Sequence, residues 1–334
     1  MVSLTLLTIF GFLSAFCPFA SSYYTLKFQY DSSNWFQKFE YRNGNDPTHG
    51  TVDYVDLYTA QSLGLKHTNL RISQTKIVDG RVYMGVDMQS VVPDNARGRK
   101  SIWAASRDEF THGLVIGDFQ HMPENVCGIW PAFWTVRDEA SPYGEIDIVE
   151  YFNADAANGA ITTYTDPKLP QCTFNQSPNG QTQPLSENFR SCTGDGGCST
   201  LGPAAGYGAE FNKNDGGVWA MEWTSEAIRV WFFPRGTSGI PSDITNGNPN
   251  PALWPLPLAH FQRTDGGCDI DKHYLAQSIW FDTTFCGDSA GGEGWTSWTD
   301  CGRKTGVTCD EWVRKHPETF QNAYWLVNSV KVYQ

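Results

Sequence analysis

The sequence predicts an all-β protein, a sandwich of two antiparallel sheets with long ordered loops. Three observations carry that prediction. Short runs rich in β-branched and aromatic residues alternate with clusters of Gly, Pro, Asn and Asp along the chain. A helical repeat of apolar residues is almost absent. No linker and no internal repeat divides the 334 residues, and sandwiches of about 200–250 residues routinely form one domain.

The elements follow in chain order. Residues 2–20 carry no charge, contain Pro18 and end in Ala20, Ser21 and Ser22. That pattern is expected of a secretory leader removed after about residue 22, which leaves 23–334 as a single domain. Strands are expected over Arg71–Ile77, Val82–Met88, Ser101–Ala105, Gly113–Phe119, Ile129–Val136 and Glu145–Phe152. Later strands are expected over Val218–Trp223, Ala227–Phe233, Ser278–Phe281 and Ala323–Val332. Two irregular stretches, 166–217 and 234–271, are expected to be ordered loops, because cysteines and buried-type aromatics punctuate them. Thr305–His316 is the best helix candidate, with Asp310 and Glu311 early and Arg314, Lys315 and His316 late.

Charge and cysteines restrict the partners and the compartment. The 36 Asp and Glu oppose 24 Lys and Arg, a formal charge of −12. With no cationic excess to release counterions, a nucleic-acid backbone is not the expected partner; nor is an anionic membrane surface. The 13 Trp either fill a core or line a surface for flat, weakly polar ligands such as sugars. Nine cysteines are present, and Cys17 leaves with the leader. The remaining even number suits disulfides in an oxidising compartment. Cys192 and Cys198 enclose TGDGG and could bridge locally, whereas the absence of a C-x-x-C pair argues against zinc. Asn175-Gln176-Ser177 forms a glycosylation sequon.

Gly144-Glu145-Ile146-Asp147-Ile148-Val149-Glu150 is the most informative run. On a strand Glu145 and Asp147 share a face, and Ile146 and Ile148 share the other. Strict alternation would send Glu150 into the core with the isoleucines, where an unpaired carboxylate is costly. A β-bulge near Val149 returns Glu150 to the acidic face. Three carboxyls in a row suit retaining glycoside hydrolysis, which needs a nucleophile and a proton donor close together. Crowded negative charge would raise the proton affinity of at least one of them. On these residues alone, a solvated acidic face accounts for the run as readily as catalysis, and a calcium site less readily.

The surroundings narrow the choice. Cys127-Gly128-Ile129-Trp130-Pro131-Ala132-Phe133-Trp134 precedes the acidic run, and Asp46-Pro47-Thr48-His49-Gly50 lies upstream. Trp219-Ala220-Met221-Glu222-Trp223 and Phe281-Asp282-Thr283-Thr284-Phe285-Cys286-Gly287-Asp288 follow. Together these runs resemble glycoside hydrolase family 16, in its fungal laminarinase-like branch. The resemblance implies a concanavalin A-like β-jelly roll and retaining endo-hydrolysis of β-1,3 or mixed β-1,3/1,4 glucans. It implies Glu145 as nucleophile, Glu150 as acid/base and Asp147 as the assisting carboxyl. Trp134, Trp130 and Trp280 are implied sugar contacts. No cofactor is expected to be required; a structural calcium ion is compatible with the resemblance. A secreted monomer acting on β-glucan is expected.

Three departures bear on specificity. Ser141-Pro142-Tyr143 stands where many relatives carry a tryptophan, and Tyr164 stands where several carry a histidine. Gly216-Gly217 replaces another histidine of many lichenases. His49 and His121 are expected to be structural, and Asp195 and Asp215 to form turns. The rival expectations are a glucan transferase and a catalytically silent, lectin-like sandwich.

Overall fold

The computed structural model describes residues 24–62, 74–137, 142–154, 159–173, 191–193, 197–236, 239–263 and 267–334. The expected leader, the Asn175 sequon, Asp195, Ser141 and the first three residues of the expected 71–77 strand lie outside them. Strands in chain order are β1 Leu26–Asp31, β2 Phe39–Tyr41, β3 Val52–Tyr54, β4 Thr75–Val78, β5 Arg81–Gly85, β6 Arg99–Ser101, β7 Trp103–Ser106, β8 Gly113–His121 and β9 Ile129–Val136. They continue with β10 Gly144–Glu150, β11 Ala160–Thr165, β12 Cys198–Leu201, β13 Gly217–Trp223, β14 Ala227–Pro234, β15 Ala259–Gln262, β16 Ser278–Phe285 and β17 Tyr324–Tyr333.

Two antiparallel sheets hold nearly all of them. One runs β12-β11-β10-β9-β16-β7-β2 and carries the acidic strand near its middle. The other runs β15-β14-β13-β8-β17-β5-β4, with β1 added along β17. β3 and β6 form a separate parallel pair. This is the expected sandwich with long loops, in the jelly-roll arrangement.

The core lies where the sheets face each other. Phe133 and Phe281 from the acidic sheet stack at 4.8 Å. Phe119 and Trp325 from the opposite sheet meet them edge-on, at 5.0 Å and 5.3 Å respectively. Ile146, Ile148 and Val149 enter this same core fully or almost fully buried. Burial of each such side chain contributes about 1.5–3 kcal/mol, so β10 is anchored by its inward face.

The bulge appears where alternation demanded it. Asp147 pairs with Trp134 and Val149 with Phe133, so β10 advances two residues while β9 advances one. On its other side Asp147 pairs with Thr162 and Glu150 with Ala160. The extra residue puts Glu150 back on the face of Asp147.

The helix expected over Thr305–His316 is two shorter ones, Cys301–Thr305 and Cys309–Lys315. Gly306 at φ 72° ends the first in the left-handed region that glycine tolerates. Thr308 starts the second by accepting a hydrogen bond from the Glu311 amide at 3.2 Å. Within the loop stretches, expected to be ordered, β12, β15 and the short helices Gly208–Lys213 and Ser242–Thr245 add regular elements that were not expected.

Four disulfides fasten the loops: Cys127–Cys301, Cys172–Cys268, Cys192–Cys198 and Cys286–Cys309. Cys192–Cys198 is the local bridge that the sequence suggested. His121 stacks on Tyr324 and its Nδ1 meets the Tyr324 carbonyl at 2.9 Å, a structural placement. His49 instead sits exposed against Asp288 at 3.1 Å. Asp215 occupies a turn at φ 56°.

Candidate active site

Cross-strand register builds the site. Directly paired residues in a sheet share a face. Asp147 pairs with Trp134, Trp134 with Trp280, and Trp280 with Ala105. One row along, Glu150 pairs with Ala132, Ala132 with Asp282, and Asp282 with Trp103. Glu145 pairs with Val136 on one side and Tyr164 on the other. The outer face of this sheet is therefore a floor of carboxyls bordered by indoles.

A cleft of about 960 Å³ opens on that face beside the acids, lined by Glu40, Arg42 and Asn43 and by Arg137, Tyr143 and Lys168. Trp103, Trp134 and Trp280 line it too. Their rings lie in sequence, Trp103 to Trp280 at 5.4 Å and Trp280 to Trp134 at 5.4 Å. Trp134 and Trp103 are partly exposed, but Trp280 is only 1% exposed and carries the Arg42 guanidinium over its ring at 4.6 Å. Trp280 thus offers no free face to a sugar and instead backs its two neighbours.

Each acid has a distinct set of partners. Trp130 donates its indole N–H to Glu150 Oε1 at 2.6 Å, so it contacts the carboxyl itself. Tyr143 donates its hydroxyl to Glu145 Oε2. Asp147 shares a hydrogen bond with Glu145 as well. Asp147 is 3% exposed, and its Oδ2 is buried without a hydrogen-bond partner. The start of β10 is braced from two sides: Thr163 Oγ1 donates to the Glu145 carbonyl at 2.8 Å, and Gln277 Nε2 to the Gly144 carbonyl at 2.9 Å.

Burial raises the proton affinity of all three acids, and repulsion from neighbouring carboxyls adds to the rise in Glu145 and Asp147. Burial pushes Glu145 up to about 7, Glu150 adds to the rise, and the Tyr143 and Asp147 hydrogen bonds oppose it. Asp147 is held well above the usual carboxylate range by burial first, then by Glu145, Glu150 and Asp282. Burial also raises Glu150, and the Trp130 indole counteracts it. Asp147 therefore keeps its proton and donates it as a hydrogen bond toward Glu145, which favours the ionised form of Glu145.

The register brings Glu145, Asp147, Glu150, Trp130, Trp134 and Trp280 to one face, as expected. It also adds residues that the motif reading passed over. Asp282, two residues past Trp280, shares that face; its Oδ1 accepts from the Ala132 amide at 3.1 Å. Burial, Asp46 and Glu150 keep its carboxyl protonated well above the normal range. The period-two rule points to it once Trp280 is placed. The same rule links Tyr143 to Glu145. Nothing local marks Arg42, just after β2, or Trp103 on β7, which reach the cleft from positions distant in sequence. Among the described residues, one grouping of possible metal-ligand atoms occurs, Cys172, Cys268 and His273. Its two sulfurs are bonded to each other.

Comparison with known proteins agrees with this geometry. Residues 39–333 match the family model of the XgeA-like catalytic domain of glycoside hydrolase family 16. A probable endo-1,3(4)-beta-glucanase of Aspergillus niger is 38% identical over 95% of the chain and 41% of its own length. Several curated relatives are about twice as long as the stretch they share with this chain. Among solved structures, an elongating family 16 beta-1,3-glucosyltransferase is 36% identical, with a TM-score of 0.80 over 93% of this chain and 100% of its own. Laminarinase 16A from Phanerochaete chrysosporium, with 6-O-glucosyl-laminaritriose in donor and acceptor sites, is 33% identical with a TM-score of 0.81 over 94% and 100%. The chain belongs to glycoside hydrolase family 16, in the XgeA-like branch of fungal laminarinase-type proteins.

Proposed function

We propose that the chain is a secreted, retaining endo-β-glucanase that cleaves β-1,3 or mixed β-1,3/1,4 glucans. The observation that carries this reading is the bulged strand that turns Glu145, Asp147 and Glu150 to one face beside the cleft and gives Glu145 and Glu150 different donors. In the first step a Glu145 oxygen bonds to the sugar C1 as the glycosidic C–O bond breaks. Glu150 gives its proton to the departing oxygen. In the second step a water oxygen bonds to C1, its proton passes to Glu150, and the C1–Glu145 bond breaks. Asp147 assists by hydrogen bonding to Glu145.

Both the nucleophile and the proton donor are side chains, so this chemistry calls on no cofactor. Trp134 and Trp103 supply apolar faces for sugar C–H groups. Residues 23–334 act as one catalytic domain after leader removal, as a monomer on a neutral polysaccharide, to which a chain of charge −12 is suited.

The likeness to a glucosyltransferase supports a second reading, in which a sugar hydroxyl replaces water in the second step. Purified protein incubated with laminarin and lichenan, with products resolved over time, tests both. Short oligosaccharides from either glucan support hydrolysis. Products longer than a short oligosaccharide substrate support transfer. Glucan binding without any product refutes both in favour of a silent binder.

A further inference from the structure

Tyr143 sits directly before Gly144 and two residues before Glu145, so its side chain shares the cleft face with the acid. Its hydroxyl donates to Glu145 Oε2. The backbone that carries it is tied down: the Tyr143 amide donates to Asp166 Oδ2 at 3.2 Å, and Asp166 Oδ1 accepts from the Lys168 amide at 2.9 Å. Gly144 leaves no slack, since a Cβ there would lie 2.3 Å from the His273 carbonyl oxygen. The phenol is thus held on the acid by fixed backbone on both sides.

We propose that Tyr143 is a positioning residue for the Glu145 carboxylate, holding one oxygen in place and stabilising the group whenever it is ionised. The inference rests on the reading of Glu145 as nucleophile. Burial and the neighbouring Glu145 push the phenol far above its usual range, so it keeps its proton throughout. In the first step Glu145 loses charge as it bonds C1, and the Tyr143 donation opposes that loss slightly. In the second step the C1–O bond electrons return to Glu145, and the same donation assists departure. Tyr143 therefore favours breakdown of the covalent intermediate over its formation.

Other groups face Glu145 and set the background. Asp147 and Glu150 lie on the same strand, Tyr164 on β11, Tyr274 after the short helix Ile270–His273, and Asp282 on β16. Arg137 lines the cleft together with Tyr143. Of these, Asp147 is the other hydrogen-bond donor to Glu145.

The test is Tyr143→Phe, which keeps the ring and removes the donor. Carbon-13 carboxyl NMR of the free protein reads the Glu145 titration, assigned by its loss in Glu145→Gln. The midpoint should move upward in Tyr143→Phe. With an aryl β-laminaribioside bearing a good leaving group, kcat should fall about ten- to hundred-fold, the range of one hydrogen bond to a charged group. KM should fall with it, because the second step becomes limiting. A merely structural role would lower kcat/KM and leave the Glu145 midpoint in place. An unchanged or lower midpoint overturns the inference whatever the activity. A wild-type protein that cleaves nothing overturns the proposed function, and the NMR titration still decides the role of Tyr143.

Discussion

On one face of β10, Ile146 and Ile148 are completely buried in the core between the sheets. On the other, Glu145, Asp147 and Glu150 crowd the outer face, where burial makes their charged forms costly. The inward face stabilises the fold. The outward face works against it at neutral pH, because an ionised acid there has lost water without gaining a cation. Chemistry on this strand is possible because packing on the opposite face holds the acids in place.

The largest expected effect breaks the outward face. Glu145→Gln and Glu150→Gln should each cut turnover of unactivated glucan by about 10³-fold or more, with an unchanged circular dichroism spectrum. Azide should rescue the Glu145 variant as an α-glycosyl azide and the Glu150 variant as a β-glycosyl azide. Wild-type rates in either would dissolve the distinction between the faces. Next comes the inward face. Ile148→Ala should cost about 2–5 kcal/mol in denaturant unfolding, with activity per folded molecule largely kept below the transition. A loss under about 1 kcal/mol would mean that β10 is held by something other than its core contacts.

A smaller effect measures the conflict directly. Glu145 rises from 4.5 to about 7 on folding. In that interval the folded state holds a proton that the unfolded state releases, so stability falls as pH rises. The contribution is intact below pH 4.5 and gone above pH 7. Glu145→Gln should remove this fall, raising stability above pH 7 by on the order of 2 kcal/mol and leaving it nearly unchanged at pH 4. Thermal melts across that range check the sign; equal shifts at both ends would contradict it. The smallest effect concerns Trp130. Its indole N–H opposes the rise of the Glu150 pKa. Trp130→Phe should therefore shift the basic limb of kcat/KM upward by under about one pH unit, and a downward shift would contradict the contact.

The sequence made much of this arrangement legible, and the reason is periodicity. The clash between strict alternation and Glu150 forced the bulge, and the bulge is present at the expected place. The sandwich followed from strand-sized runs, although β1, β2, β3, β6, β11, β12 and β15 lay wholly or mostly outside the expected strands; β2, β3 and β6 are three residues long, whereas β1 alternates plainly as LKFQYD and was passed over. The Thr305–His316 helix was read as continuous because charges at its ends looked like dipole partners; Gly306 breaks it. Trp280 illustrates a limit of motif reading. Position on the cleft face says nothing about whether a ring is covered, and Arg42, just after β2, covers this one from more than two hundred residues away in sequence. Tyr143 was visible only as a departure from a pattern, although its spacing from Glu145 already placed both on one face.

The central claim is that Glu145 forms a covalent bond to the sugar while Glu150 and Asp147 do not. A 2-fluoro-substituted β-glucosyl fluoride carrying a β-1,3-linked glucose should trap that intermediate, and peptide mass spectrometry should locate the label. One label per molecule is expected, on Glu145. A label on Glu150 or Asp147, or an unlabelled protein that releases the α-anomer first, would contradict it.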